Sequence, residues 1–182
     1  DIAAMYEIVK EGLEAGALGF STSRTLIHKA IDGRPVPGTF AEKKEVFGIG
    51  QALADVGHGV FEMASQHETL DVDIQWMDEL SQKIGRPVST NLSQIDESPN
   101  LWREVLHRME QAPEDSQIIG QASGRAIGIV MGLDLTAHPF ATCPYFLQEL
   151  MHMPPEERRQ KLMQKETQEK LLADTPLSLG AF

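Results

Sequence analysis

Apolar residues return every three or four positions through Ile2, Met5, Tyr6, Val9 and Leu13, the spacing of one helix face, and Gly16 follows where a left-handed cap would close it. The next apolar run lies within "GALGFSTSRT", residues 17–26, and stops abruptly at a cluster of hydroxyls and an arginine. This predicts a short strand that delivers polar groups from its end. Thr39 with Glu42 three residues later has the form of a capping box, and Val46, Phe47, Ile49, Gly50 and Leu53 continue a helical face that Gly57 closes. "GVFEMAS" at 59–65 reads as a second strand, and Ile74, Met77, Leu80 and Ile84 as a third helix ended by Gly85.

The unit repeats. "RPVSTNLSQ" at 86–94 is the third strand, Ser98 and Pro99 mark the N-cap and first turn of a helix bearing Leu101, Val105, Leu106 and Met109, and "SQIIGQAS" at 116–123 is the fourth strand. Strands recurring about every 30 to 40 residues with helices between them have the spacing at which right-handed crossovers build a parallel sheet. The class is therefore α/β, and four such units make half of an eight-unit barrel or most of a small open sheet. After residue 144 the pattern changes to "PPEERRQKLMQKETQEKLLAD", a charged helical stretch whose few apolar residues are Leu162, Leu171 and Leu172. The expected organisation is a set of central βα units over 1–144 and a peripheral helical insertion or lid over 145–182. The loop "RTLIHKAIDGRPVPGTF" holds Gly33, Pro35, Pro37 and Gly38, and loops of that length in a compact domain tend to be functional.

Composition adds boundaries to this picture. With 41% hydrophobic and 24% charged residues the chain is ordinary globular material. Its net charge of -11 argues against a nucleic-acid surface, which needs clustered Lys and Arg, so a small-molecule partner is expected. No run reaches the roughly 18 apolar residues of a membrane helix, and no membrane partner is expected. The single cysteine, Cys143, permits no internal disulfide and fits a reducing, cytoplasmic setting; beside Pro144 and apolar neighbours it reads as a buried thiol. Opening on Asp1 inside a helical pattern and stopping after "LGAF", the chain is expected to be an internal fragment of a longer protein.

In parallel α/β folds ligands bind beyond the C-terminal ends of the strands. The residues there are Ser21, Ser23 and Arg24; Glu62 and Ser65; Asn91, Ser93 and Gln94; Gln121 and Arg125. Each has a plainer reading. Ser21 and Ser23 either turn the chain or touch a ligand, and Arg24 is either a solvated loop charge or a bidentate grip on a carboxylate. Glu62, amid "VFEMA", points either into a barrel or towards a helix, and as a buried carboxylate it is expected to pair with Arg24 or Arg125. Asn91, Ser93, Gln94 and Gln121 serve as scaffold or as pocket. None of His28, His58, His67, His107, His138 and His152 has metal-ligand spacing; His58 and His107 lie on the wrong elements, while His28 and His138 sit in loops able to fold over a site. No metal centre or catalytic triad assembles from these residues alone, and the catalytic residues stay unassigned.

"EAGALGFSTSRTLIHKAIDGRPVPGTFA", "WMDELSQKIGRPVSTNLSQID", "ASGRAIGIVMGLDLTAHPF" and "MPPEERRQKL" together resemble the D-aminoacylase (N-acyl-D-amino-acid deacylase) branch of the amidohydrolase superfamily. The resemblance implies part of a distorted (βα)8 TIM-type barrel, with the four strands standing as its fourth to seventh. It implies a hydrolase of linear amides, plausibly N-acyl-D-amino acids, that uses zinc or another divalent metal to activate water, with ligands expected outside this chain. Family histidines on the fifth and sixth strands would fall near Ala64 and Leu92, neither of which binds metal. Ser21 and Thr22 match the family's strand end as pocket residues, and Gln94 stands where the family often has a lysine. The implied pocket is Ser21, Thr22, Ser23, Arg24, Glu62, Asn91, Gln94 and Gln121. A non-catalytic barrel for a small acylated ligand, or a cyclic-amide hydrolase, are the alternatives.

Overall fold

Four parallel strands, β1 (Gly19–Ser23), β2 (Val60–Ala64), β3 (Val88–Asn91) and β4 (Ile118–Gln121), lie side by side in sequence order. Helices α1 (Ile2–Glu14), α2 (Lys43–Val56), α3 (Leu70–Ile84) and α4 (Leu101–Glu110) alternate with them, which is the α/β pattern read from the sequence. The computed structural model describes residues 1–30, 34–65, 70–95, 98–126, 128, 130–135 and 138–177, with residues 70 and 71 by backbone alone. It divides into two compact units, Asp1–Arg125 and Ala126–Gly180.

Glycines end the helices as the sequence implies. Gly57 caps α2 in the left-handed region at φ 79°, its N–H donating to Leu53 O at 3.0 Å, and Gly85 after α3 has φ 60°. The starts differ from expectation. Thr39 Oγ1 donates to Val36 O at 2.8 Å and so holds the loop, while Glu42 precedes α2 with extended backbone and makes no side-chain cap. The α4 helix begins at Leu101 with Asn100 as its N-cap, and Ser98 contributes only a carbonyl that accepts from Leu101 N.

Strand register sorts every side chain to one of two faces. Phe20, Phe61, Val88 and Ile118 form one cross-strand row and Thr22, Met63, Thr90 and Gly120 the next. These rows look toward the helices. Phe61, Met63 and Val88 are buried with Leu13, Val46, Leu53, Met77, Leu80 and Ile84 in the main core. At Gly50 α2 packs tightly against Leu80 of α3, since a Cβ there would lie 2.8 Å from Leu80 Cδ1. Burial of this apolar set at about 25 cal/mol per Å² is what ties the crossovers to the sheet.

The second unit packs Cys143, Phe146, Leu150 and Leu171 together, with Phe140, Tyr145, Met153 and Leu162 against them. Its elements are a π-helical turn, Phe146–Leu150, then α5 (Pro155–Leu162) and α6 (Lys165–Ala173). The charged stretch read as one helical pattern is thus two short helices. Leu171 is buried, whereas Leu172 is 84% exposed. Burial raises the Cys143 thiol above its ordinary pKa, as a packed cysteine requires.

Candidate functional site

The opposite face of the sheet carries the chemistry. Ser21, Glu62, Ser89 and Ile119 form its inner row, and Ser23, Ala64, Asn91 and Gln121 the row nearer the strand ends. Here Ser21 and Gln121 are exposed, and Val60 and Ile119 expose 37% and 47% of their surface, so among the described residues no helix covers this side. The alternation that buries Phe61 and Met63 therefore settles the direction of Glu62: it projects onto the open face.

Glu62 is held there by neutral donors. Ser89 Oγ donates to Glu62 Oε2, and Gln121 Nε2 donates to the same oxygen at 3.1 Å. Among the described residues none donates to Oε1. The ion pair expected with Arg24 or Arg125 is not formed. Arg24 instead donates through Nε to Asp73 Oδ1 at 3.0 Å and through Nη1 to Ala41 O at 2.7 Å, and its guanidinium lies 4.5 Å from the Trp76 ring centroid. The reason is the pleat: Arg24 follows the last strand residue, its N–H donates to Ala64 O, and its side chain leaves on the helix side, where buried Asp73 waits on α3.

The remaining candidates separate in the same way. Thr22 belongs to the helix-side row, and its Oγ1 sits 2.6 Å from where a Cβ on Gly38 would be. Gln94 lies beyond β3 and is exposed. Asn91 Oδ1 accepts from Ser65 N at 3.3 Å, which ties β3 to the end of β2, while the buried Ser65 Oγ has no hydrogen-bond partner among the described residues. Leu92 turns toward Val105 and Met109 of α4 rather than to the open face, so of the two positions flagged for missing histidines only Ala64 faces the site. Asn91 occupies the open-face position on β3. His67 lies outside the described residues.

Two groups that the sequence left in the background enter here. Ser89 is a site residue by alternation alone, two positions before Asn91. His28 folds back so that Ser23 Oγ and His28 Nδ1 stand 2.6 Å apart. The backbone behind His28 is fixed by Val36 N donating to His28 O at 3.3 Å, by Ala30 N donating to Arg34 O at 2.8 Å, and by an antiparallel bridge between Lys29 and Pro35. An open groove of about 470 Å³ runs along the edge of β1, lined among others by Ser21, Ser23, His28, Glu62 and Ala64, and Thr22 reaches it from the helix-side row. His138 belongs to the second unit, where its ring centroid lies 4.4 Å from that of Phe146 and burial lowers its pKa.

The donor set does not fit a metal. Among the described residues no three His, Cys, Asp or Glu side chains gather at one point, and the open face offers one carboxylate among hydroxyls and amides. What the arrangement suits is a hydrogen-bonding ligand: an acceptor oxygen at Glu62, an amide at Gln121, and hydroxyls at Ser21 and Ser23.

Fold and face together define an α/β sheet of the kind found in barrels with strand-end sites. The structure is similar to the crystal structure of a D-aminoacylase that defines a novel subset of amidohydrolases, with TM-score 0.52 and 19% identity over 66% of this chain. Four parallel strands alternating with helices match part of that amidohydrolase barrel, and the likeness at this identity is one of fold. The chain spans 24% of that protein's length. No family model and no curated protein matches the sequence. No helix among the described residues is long and apolar enough to cross a membrane.

Proposed function

We propose that the chain supplies part of the substrate pocket of an amidohydrolase acting on linear amides, with N-acyl-D-amino acids as the leading substrate class. The observation that carries this reading is the Glu62 carboxylate on the open face, oriented by Ser89 and Gln121 through Oε2 while Oε1 takes no hydrogen bond from any described residue. A secondary amide presents one N–H and one C=O. Glu62 Oε1 accepts the first, and side-chain donors of the outer row serve the second. Ala64, the smallest side chain in that row, leaves space for the acyl group. The substrate carboxylate finds no partner in Arg24, whose guanidinium is committed to Asp73 and Ala41.

Any catalytic metal of such an enzyme is zinc or another divalent ion held by residues other than those described, so no chemical step is assigned to it here. A second reading, a non-catalytic pocket for a small acylated ligand, is favoured by Ala64 standing at the outer row where a metal-holding barrel needs a donor. Titration calorimetry of the chain with N-acetyl-D-amino acids separates these from no binding at all. Glu62→Gln is expected to weaken binding by about 1.5 to 3 kcal/mol, the range for a hydrogen bond to a charged group. Amide hydrolysis measured on a longer form of the protein then divides enzyme from binding module. Absence of both binding and hydrolysis would overturn the proposal.

A further inference from the structure

Beyond amide recognition, we infer that Ser23 and His28 form a nucleophile–base pair that accepts an acyl group on Ser23. The Oγ to Nδ1 separation of 2.6 Å is that of a hydrogen bond, and in the imidazole tautomer protonated at Nε2 Ser23 donates and Nδ1 accepts. Ser23 is the last residue of β1 and belongs to the open-face row, where a parallel sheet offers its strand ends to ligands. Its cross-strand neighbour is Ala64, so the methyl beside the hydroxyl leaves room for an acyl carbon to approach. Ser23 and His28 both line the groove along the edge of β1.

Both partners are held from behind. On the Ser23 side, Arg24 is anchored by Asp73, Ala41 and Trp76, which fixes the chain one residue past the nucleophile. On the His28 side, the carbonyl accepts from Val36 N, and the Lys29–Pro35 bridge stiffens the residues that follow. A serine and a histidine five residues apart on an untethered loop would not keep this geometry. The fit to a nucleophile also accords with a donor set that does not suit a metal.

The chemistry balances without an oxidant or a further reactant beyond water. Ser23 Oγ bonds to the acyl carbon of an ester or amide as its proton passes to His28 Nδ1. The bond from carbon to the leaving alkoxide or amine breaks, and His28 returns the proton to the leaving group. Water, deprotonated by His28, then attacks the acyl-serine, releasing a carboxylic acid and restoring the Ser23 hydroxyl with the proton from His28.

The inference takes its substrate class from the proposed function, and its test is independent of amide hydrolysis. The full chain is incubated with p-nitrophenyl acetate, p-nitrophenol release is followed, and the acylated peptide is mapped by mass spectrometry. A burst with one acetyl group on Ser23 is expected. Ser23→Ala should abolish that adduct, and His28→Gln should slow its formation by about 100-fold or more, the contribution of a positioned general base. Melting curves of both variants establish that they are folded, and the groove-remote lysines serve as an internal measure of non-specific acetylation. An adduct confined to lysines or to His28, or one on Ser23 whose rate ignores His28→Gln, overturns the inference. A Ser23 adduct in a protein that does not bind N-acetyl-D-amino acids would leave this pair standing and remove the substrate assignment; amide binding without the adduct would do the reverse.

Discussion

Replacing Asp73 by Ala should be among the most destabilising single changes in the first unit. Asp73 is fully buried, and the Arg24 side chain facing it is 14% exposed, so the substitution strands a guanidinium with one carbonyl acceptor, Ala41 O, and the Trp76 ring. Breaking one half of a buried ion pair costs about 3 to 5 kcal/mol. At about 2 to 4 °C per kcal/mol for a chain of this size, the melting temperature should fall by roughly 6 to 20 °C. Arg24→Met takes the guanidinium away from the buried Asp73 carboxylate and should also destabilise the unit. The double variant Arg24→Met/Asp73→Leu has no stranded charge and should recover much of the loss, giving a coupling of about 2 kcal/mol or more. Urea unfolding followed by far-UV circular dichroism on wild type, both singles and the double measures this directly. Losses that add to within about 0.5 kcal/mol would refute the pairing. Coupling of Arg24→Met to Glu62→Gln instead would restore the ion pair suggested by the sequence, and additivity between those two is the expected result.

Other consequences can be checked on the same protein. Ser81→Ala should destabilise by about 1 to 3 kcal/mol in urea unfolding, because this buried hydroxyl donates to Arg86 O at 3.0 Å and accepts from Gln117 N at 2.8 Å, joining the end of α3 to the entries of β3 and β4. His138 has its pKa lowered by burial, with the charge of Arg158 acting the same way, and its Nδ1 accepts from Phe140 N at 3.2 Å. The folded state therefore binds the proton less readily than the unfolded chain, so stability is lost as pH falls through the unfolded value and on toward the lower folded one. Melting temperature should decline from pH 7 to pH 5, and His138→Gln should flatten that slope; an unchanged slope would exclude His138 as its source.

Strand existence was legible because it rests on short-range pattern: apolar runs bounded by glycine, with a helical period between them. Orientation was not. Glu62 carries the same letter whether it faces helix or cavity, and only its pairing with Ser21 and Ser89 across the ladder decides. A displacement of one residue likewise separates Leu92, which packs with α4, from Asn91, which faces the site. Arg24 found its partner 49 residues away at Asp73, on a helix whose many acidic residues look solvated in sequence. The short-range capping box at Thr39 also misled, since the loop's own turn used the hydroxyl first. The pairing of Ser23 with His28 spans five residues, yet it depends on a backbone ladder between His28 and Val36 that proline- and glycine-rich composition does not specify.

The two-faced ladder also constrains how this protein can change in length. The segments entering the strands are brief: Gly57, His58 and Gly59 lead from α2 to β2, and Gly85, Arg86 and Pro87 from α3 to β3. One residue inserted before Val88 rotates the strand by a full pleat, sending Val88 and Thr90 toward solvent and Ser89 into the apolar interior. Insertions and deletions should therefore be purged from these entry segments, while the exits, such as the stretch between Ser23 and Lys43, can lengthen or shorten without shifting the phase of any strand, provided that the residues tied to the first unit, such as Ala41, keep their contacts. New specificities on this framework arise by point substitution on the strands and by remodelling of the exit loops, with the helix-facing rows serving as a frame of constant phase.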